Sequence, residues 1–299
     1  MKYSIHIFPA HVINQQKWDA CISKHPNGLI YAQYDYLDHM CDHWSGLVVG
    51  DYEAIMPLPW RRKYGFRYYY IPPFIQQLGF IGDTSLLRSL QEELIQKIRG
   101  YAWYGDLHLN FSNHVLASEL HCKNRTNFII DLNRSYFEIY KDYHPDLKHL
   151  IYKIPQEHFQ YSSDHDFKQI IDRYQQQYGQ RMPHLSAHDF IRLGELCKFY
   201  NERKQCIIRS TQSVDGQVLS ETLLLRDQRR IYHLLNTTFP KGRDLHSNHW
   251  LMDQILREYA NHDLIFDFEG SDLLGVKSFY KKFGGHVQPY FHYRRNIWR

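Results

Sequence analysis

Asp267 and Glu269 stand at alternate positions of a strand-like stretch, 264–269, that runs into Gly270-Ser271. Alternate positions share one face of a strand, so the two carboxylates can serve together as proton acceptors. A strand edge whose acids meet solvent or cap the next helix uses the same residues. A second candidate mixes cations with rings: Trp60-Arg61-Arg62-Lys63-Tyr64-Gly65-Phe66-Arg67, followed by Tyr68, Tyr69 and Tyr70. Stacking plus phosphate contacts would hold a single strand or a tRNA end. A hairpin with a basic tip, followed by a strand that buries alternate tyrosines, accounts for it as well. The segment 70–79 is rigid, aromatic and polar, of the kind that lines clefts, and Gln76 and Gln77 offer both donors and acceptors. Histidine is abundant, but His184/His188 and His246/His249 each straddle a helix start, no H-E-x-x-H occurs and no cysteine lies near either pair. No metal site is expected. Hydrolase, P-loop and dinucleotide signatures are absent from the sequence.

The chain that must position these groups has 299 residues, which suggests two domains. Lys+Arg is 36 against 32 Asp+Glu, and a net charge of +4 is too weak to argue for nucleic acid by itself. With 43% hydrophobic and 23% charged residues the chain is not intrinsically disordered. It carries 24 Tyr, 17 Phe, 6 Trp and 20 His, so much of its apolar area ends in a polar tip, which suits pockets as well as cores. No stretch approaches the roughly 18 apolar residues of a membrane span. The alternating start, Met1 to Phe8, reads as a strand and not as a signal peptide. Five scattered cysteines without a C-x-x-C fit free thiols in a reducing cytoplasm.

Periodicity places helices at 18–25, 85–99, 167–178, 187–203, 248–260 and 275–283. Ser85 and Ser186 are the expected N-caps of the second and fourth. Strands are expected at 47–49, 54–58, 66–71, 107–111, 127–132, 159–162, 206–213, 217–226, 231–237, 264–268 and 286–293. The stretch 136–154 is helical but crossed by Pro145, which sets the domain boundary there: 1–147 and 148–299. A faint repeat links Gly46-Leu47-Val48-Val49 to Gly216-Gln217-Val218-Leu219. It also links Asp106-Leu107-His108-Leu109-Asn110-Phe111 to Asp263-Leu264-Ile265-Phe266-Asp267-Phe268.

The helix ending Phe279-Tyr280-Lys281-Lys282-Phe283-Gly284-Gly285 resembles the F-Y-x-K-x-G-F close of the last helix in the GNAT acyltransferase superfamily, with Gly285 replacing the final phenylalanine. The order of strand 232–237, Lys241-Gly242-Arg243-Asp244, helix 248–260, Asp267-Phe268-Glu269 and that last helix, behind a first unit, resembles the FemABX-like branch of tandem GNAT units. The resemblance implies an α/β fold of mixed sheets, with an acceptor-side unit at 1–147 and a donor-side unit at 148–299. It implies that Tyr280 protonates the leaving group, and a phenol with a pKa near 10 is a fitting acid for a thiolate. Glu221, or Asp267 and Glu269, would take the proton of an attacking amine. Backbone N–H groups beside Asn236 would polarise the carbonyl. Lys241, Gly242, Arg243 and the helix start at Asn248 would hold donor phosphates. Arg61, Arg62, Lys63, Gln76 and Gln77 would face an anionic acceptor.

Against the superfamily's Q/R-x-x-G-x-G/A loop, this chain has Phe239 first and Asp244 last. The FemABX phenylalanine–lysine pair falls on Phe279-Tyr280, with Lys281 adjacent. The expected function is N-acyl or aminoacyl transfer from acyl-CoA or aminoacyl-tRNA, with no permanently bound cofactor. The acceptor would be a small molecule or a cell-wall precursor carrying an amine, and charged tRNA a partner. The alternative is a non-catalytic tandem-GNAT scaffold that binds a glycan, a peptide or a nucleotide-linked ligand.

Overall fold

The computed structural model describes residues 3–270 and 273–296. They form two compact units: one comprises the chain through Arg125 together with the segment from Pro289 onward, the other runs Thr126–Gln288. The sequence boundary near residue 147 therefore moves. Pro145 does not interrupt the chain. It sits in the first turn of a helix, where its missing N–H costs nothing and its fixed φ is helical.

In chain order the first unit holds β1 (Ile5–Pro9), α1 (Gln15–Lys24), α2 (Tyr34–Met40), β2 (Trp44–Val49), β3 (Ala54–Lys63), β4 (Phe66–Tyr69), α3 (Thr84–Ser89), α4 (Gln91–Tyr101), β5 (Tyr104–Leu109), α5 (His114–Glu119) and β6 (Lys123–Arg125). The single helix expected at 85–99 breaks at Leu90, whose ψ of 6° leaves the helical well. The second unit holds β7 (Phe128–Asp131), α6 (Tyr136–Lys141), α7 (Pro145–Lys153), β8 (Phe159–Ser162), α8 (Phe167–Tyr178), α9 (Ala187–Glu202), β9 (Cys206–Ser213), β10 (Val218–Arg226), β11 (Arg230–Thr238), α10 (Pro240–Asp244), α11 (Ser247–Tyr259), β12 (Ile265–Asp267), α12 (Leu274–Lys282) and β13 (His286–Val287). Ser186 caps α9 in a reciprocal box with Asp189, which also explains how a carboxylate is buried there. β14 (Tyr290–Arg295) then joins the first unit.

The two seven-stranded sheets run β1-β2-β3-β4-β5-β14-β6 and β8-β9-β10-β11-β12-β7-β13. Each is antiparallel except for one parallel step, β4 beside β5 and β11 beside β12. The sixth strand of each sheet comes from the other half of the chain: β7 crosses into the second sheet and β14 into the first. Hence 286–293 is not one strand. It is two, divided at Gln288-Pro289, in different sheets. Matching the sheets strand for strand keeps the β5–β12 half of the repeat. The hairpin half was one strand out, because the counterpart of β2 is β9 and not β10.

Each unit has its own core. In the first, Leu47, Met56, Leu58, Phe80, Leu107 and Leu109 pack together. In the second, Leu224, Ile231, Phe266 and Phe268 of the sheet meet Trp250, Leu251 and Ile255 of α11. Asp253 is buried on α11 and accepts from Tyr136 Oη at 2.7 Å and Tyr143 Oη at 3.1 Å, so α6 and its neighbour turn belong to this core. Among the described residues no helix is long and apolar enough to cross a membrane.

Candidate active site

The parallel step is where each sheet can open. In the second unit β11 and β12 pair over Arg230–Tyr232 and Ile265–Asp267, and then they part. β11 continues to Thr238 along β10. The chain after Asp267 turns away through Glu269 and Gly270, with φ of 54° and 42°. A register shift against β10 puts an extra residue into β11 between Tyr232 and Leu235. Such a bulge bends and twists its strand, here at the point of divergence. The result is a wedge bordered by Leu234–Thr238.

The equivalent wedge in the first unit is closed by the chain itself. β4 and β5 pair at Tyr68–Tyr104 and Tyr69–Gly105 only. Residues 75–81 then fill the gap: Leu78 bridges to Leu109 and Ile81 to Ile55. Ile81 and Ile55 exchange both amide bonds, at 2.9 and 2.8 Å. The amides of Asn27, Asn110 and Asn113 all donate to the Phe80 carbonyl, at 3.1, 3.0 and 2.9 Å. Gln76 and Gln77 both belong to this seal. Gln77 is fully buried; it donates to Gln76 Oε1 at 2.6 Å and accepts from the Phe111 amide at 3.2 Å.

Around the open wedge the side chains are mostly rings. Tyr280, from α12, stacks on Phe268 at 4.5 Å and meets His233 edge-on at 6.0 Å. Its hydroxyl makes no hydrogen bond among the described residues. Burial, followed by the charge of Glu269, raises its pKa above the ordinary tyrosine value. The phenol therefore holds its proton firmly. His233 is buried on β11 with neither ring nitrogen hydrogen-bonded, and burial lowers its pKa to about 4. Asn236 is half-buried and its Oδ1 has no partner.

The first turn of α11 lies beside α12, since His249 meets Phe279 at 4.8 Å. The helix begins after His246, whose left-handed backbone offers no side-chain cap. Ser247 Oγ and Asn248 Oδ1 are buried without partners, and the first amide N–H groups of a helix have no acceptor within it. This turn presents the unfilled donors that suit an anion.

Several other expected site residues have structural partners of their own. Glu221 is fully buried on β10, and both its oxygens are taken by Arg173 of α8, with Nε at 2.9 Å from Oε1. Asp267 is fully buried as a knot. It accepts from Arg230 at 2.8 Å, Asn127 at 2.8 Å and the Glu269 amide at 2.9 Å, tying β7, β11 and β12 together. The Asp267–Glu269 pair does not persist as one carboxylate face, because the positive φ of Glu269 breaks the strand alternation. Lys241, Gly242 and Arg243 form the short helix α10, not an extended phosphate loop. Lys241 Nζ donates to Gln217 at 3.0 Å. A Cβ on Gly242 would stand 2.0 Å from the Leu219 carbonyl oxygen, so close packing on β10 requires the glycine. Arg243 is exposed. In the first unit Arg61 is paired with Asp42 and lies over Tyr70, while Arg62 and Lys63 are exposed. Ser271 lies outside the described residues. Sequence reasoning missed Arg173, His233 and Ser247. For the Arg173–Glu221 pair no local signal exists, since its partners are 48 residues apart.

The neutral histidines give a pH signature. His233 and His249 bind protons near pH 6.5 when unfolded, but only near 4 when folded, because burial disfavours their charged forms. The unfolded chain holds more protons between these values. Their contribution is whole above pH 6.5 and is lost as pH falls toward 4. Denaturant titrations are expected to show stability dropping across that window. His233→Phe, which keeps a ring beside Phe266 and Tyr280, should flatten the drop.

Comparison with known proteins identifies residues 152–282, most of the second unit, as matching the acetyltransferase (GNAT) domain family. FemX has a similar fold over 98% of this chain and 97% of its own, with a TM-score of 0.71 and 13% identity. The C-terminal domain of a putative lysylphosphatidylglycerol synthetase from Agrobacterium fabrum covers 95% of this chain and 93% of its own, with a TM-score of 0.56 and 11% identity. A tandem GNAT protein from the clavulanic acid biosynthesis pathway covers 98% and 99%, with a TM-score of 0.54 and 10% identity. No curated protein matches in sequence. Residues 152–282 thus match the GNAT acetyltransferase domain family, and the chain as a whole shares its fold with FemX and with a tandem GNAT protein.

Proposed function

We propose that the second unit transfers an acyl or aminoacyl group to an amine, with the donor seated in the wedge between β11 and β12. The observation that carries this reading is the contrast between the two parallel steps: residues 75–81 bridge the first, whereas past Tyr232 and Asp267 the strands of the second part beside Tyr280 with no such bridge among the described residues. In the reaction the amine nitrogen attacks the donor carbonyl and the bond to the leaving group breaks. The amine proton passes to Glu269, the carboxylate with the strongest charge effect on Tyr280. Tyr280 delivers its proton to the departing thiolate or ribose oxygen. The free edge of β11 near Asn236 polarises the carbonyl, and the first turn of α11 holds donor phosphate. The donor is acyl-CoA or aminoacyl-tRNA, and the first unit presents a small-molecule or cell-wall-precursor acceptor.

The occupied state of Lys241 and the closed helix α10 favour a second reading, a scaffold that binds such a ligand without turnover. Thermal-shift screening separates the two. A ligand at a hundred times its Kd stabilises by about 2.7 kcal/mol. An upward shift with an acyl-CoA, or with charged tRNA, followed by transfer to an amine supports the enzyme. A shift with a cell-wall precursor alone, without turnover, supports the scaffold. Silence with every donor overturns the transfer reading.

A further inference from the structure

The β3–β4 hairpin of the first unit ends in a cluster of rings and cations to which the proposed transfer step assigns no role. Its two-residue turn is Tyr64-Gly65, with φ of 50° and 83°. Both positive values are what a tight hairpin turn needs, and glycine meets that need freely. Tyr64 meets it at a conformational cost, yet its ring is 88% exposed at the apex. Two further rings join it. Phe66 is 46% and Trp103 54% exposed, and they touch at 4.4 Å. Trp103 is brought from the approach to β5 by its amide bond to the Arg67 carbonyl at 3.0 Å. Around the rings stand Arg62 and Lys63, exposed, and Arg67, half-buried over Trp60 and Tyr101 at 4.7 and 4.2 Å. Among the described residues none of these three cations is paired with a carboxylate, whereas Arg61 is paired with Asp42.

We propose that this hairpin tip docks the protein on the surface of an anionic lipid bilayer. Tyr64, Phe66 and Trp103 would enter the headgroup layer, with the three cations against lipid phosphates. Aromatic rings with a polar edge favour that depth, and each basic group near an anionic membrane adds attraction that salt screens. The alternative partner for cations and rings is single-stranded RNA, which needs a basic groove and open ring faces. Here Phe66 and Trp103 cover each other, Tyr64 stands on a protruding apex, and Arg62, Lys63 and Arg67 gather beside these rings at one hairpin and do not line a groove.

Co-sedimentation tests this with vesicles of phosphatidylcholine plus phosphatidylglycerol, and of phosphatidylcholine alone. The protein is expected to bind the mixed vesicles, to ignore the neutral ones and to be released by salt. Arg62→Gln with Lys63→Gln should lower the partition coefficient roughly 30-fold. Tyr64→Ser with Trp103→Ser should lower it roughly tenfold or more. Lys198→Gln with Lys204→Gln, which removes the same charge from exposed positions in the second unit, should leave it unchanged. All four positions in the two hairpin variants are exposed, and unfolding midpoints check that the fold is kept. Failure of the wild type to bind mixed vesicles overturns the proposal. So does binding that survives both hairpin variants, and so does binding of an RNA oligonucleotide through these residues in place of vesicles.

Discussion

Replacing Tyr280 by phenylalanine is expected to slow acyl transfer roughly a hundredfold to ten-thousandfold, the range that general acids supply. The loss should fall on kcat, because the phenol assists only as the leaving group departs. Stability should stay near that of the wild type. The hydroxyl makes no hydrogen bond among the described residues, so its removal strands no partner, and the ring still stacks on Phe268. Burial and the neighbouring Glu269 keep the phenol protonated, which is the state an acid must start from. Single-turnover transfer and thermal unfolding, measured side by side, check the prediction. Full activity in Tyr280→Phe would remove Tyr280 from the mechanism and leave departure of the leaving group unassisted.

Arg173→Ala is expected to cost about 3–5 kcal/mol, because it leaves the Glu221 carboxylate in the sheet without its counter-charge. For a protein of this size that is a fall of roughly 6–20 °C in unfolding midpoint. Adding Glu221→Leu should restore most of it, since the buried charge then disappears with its partner. The pair of variants also separates two roles for Glu221. If the double variant folds and still transfers acyl groups, Glu221 is purely structural. If it folds and is inactive, Glu221 is the proton acceptor. A cost under about 1 kcal/mol for Arg173→Ala would mean that the pair behaves as a surface ion pair.

Long periodic stretches were legible in the sequence. α8, α9, α11 and the β9–β10 hairpin with its Val214-Asp215-Gly216 turn lie within a residue or so of their expected spans: Asp166 and Ser186 cap α8 and α9, the turn residues mark the hairpin, and α11 is marked by its apolar period alone. The tandem architecture was legible through the ending of α12. What escaped depends on partners far apart in the chain. Nothing near Phe128 says that it will lie in the second sheet, and nothing near Leu78 says that it will plug the first. The site residues show the same limit. Asp267 reads as a reactive acid until Arg230 and Asn127 are seen to hold it. Gly242 reads as a phosphate-loop glycine, yet the same need for close backbone approach arises against Leu219. A residue type signals that a Cβ is unwelcome and not what excludes it.

The reciprocal exchange of β7 and β14 has a consequence for the order in which a ribosome delivers this protein. The unit made first is finished last. When β6 leaves the ribosome, β5 has no neighbour on that side, because β14 lies between β5 and β6 in the completed sheet. Its open edge must wait while the entire second unit is synthesised, and an unpaired edge is a ready site for mispairing. The second unit has its borrowed strand from the outset, because β7 emerges before β8. Maturation therefore runs against the direction of translation: the wedge-bearing unit closes its sheet first, and the hairpin-bearing unit is sealed only when β14 emerges.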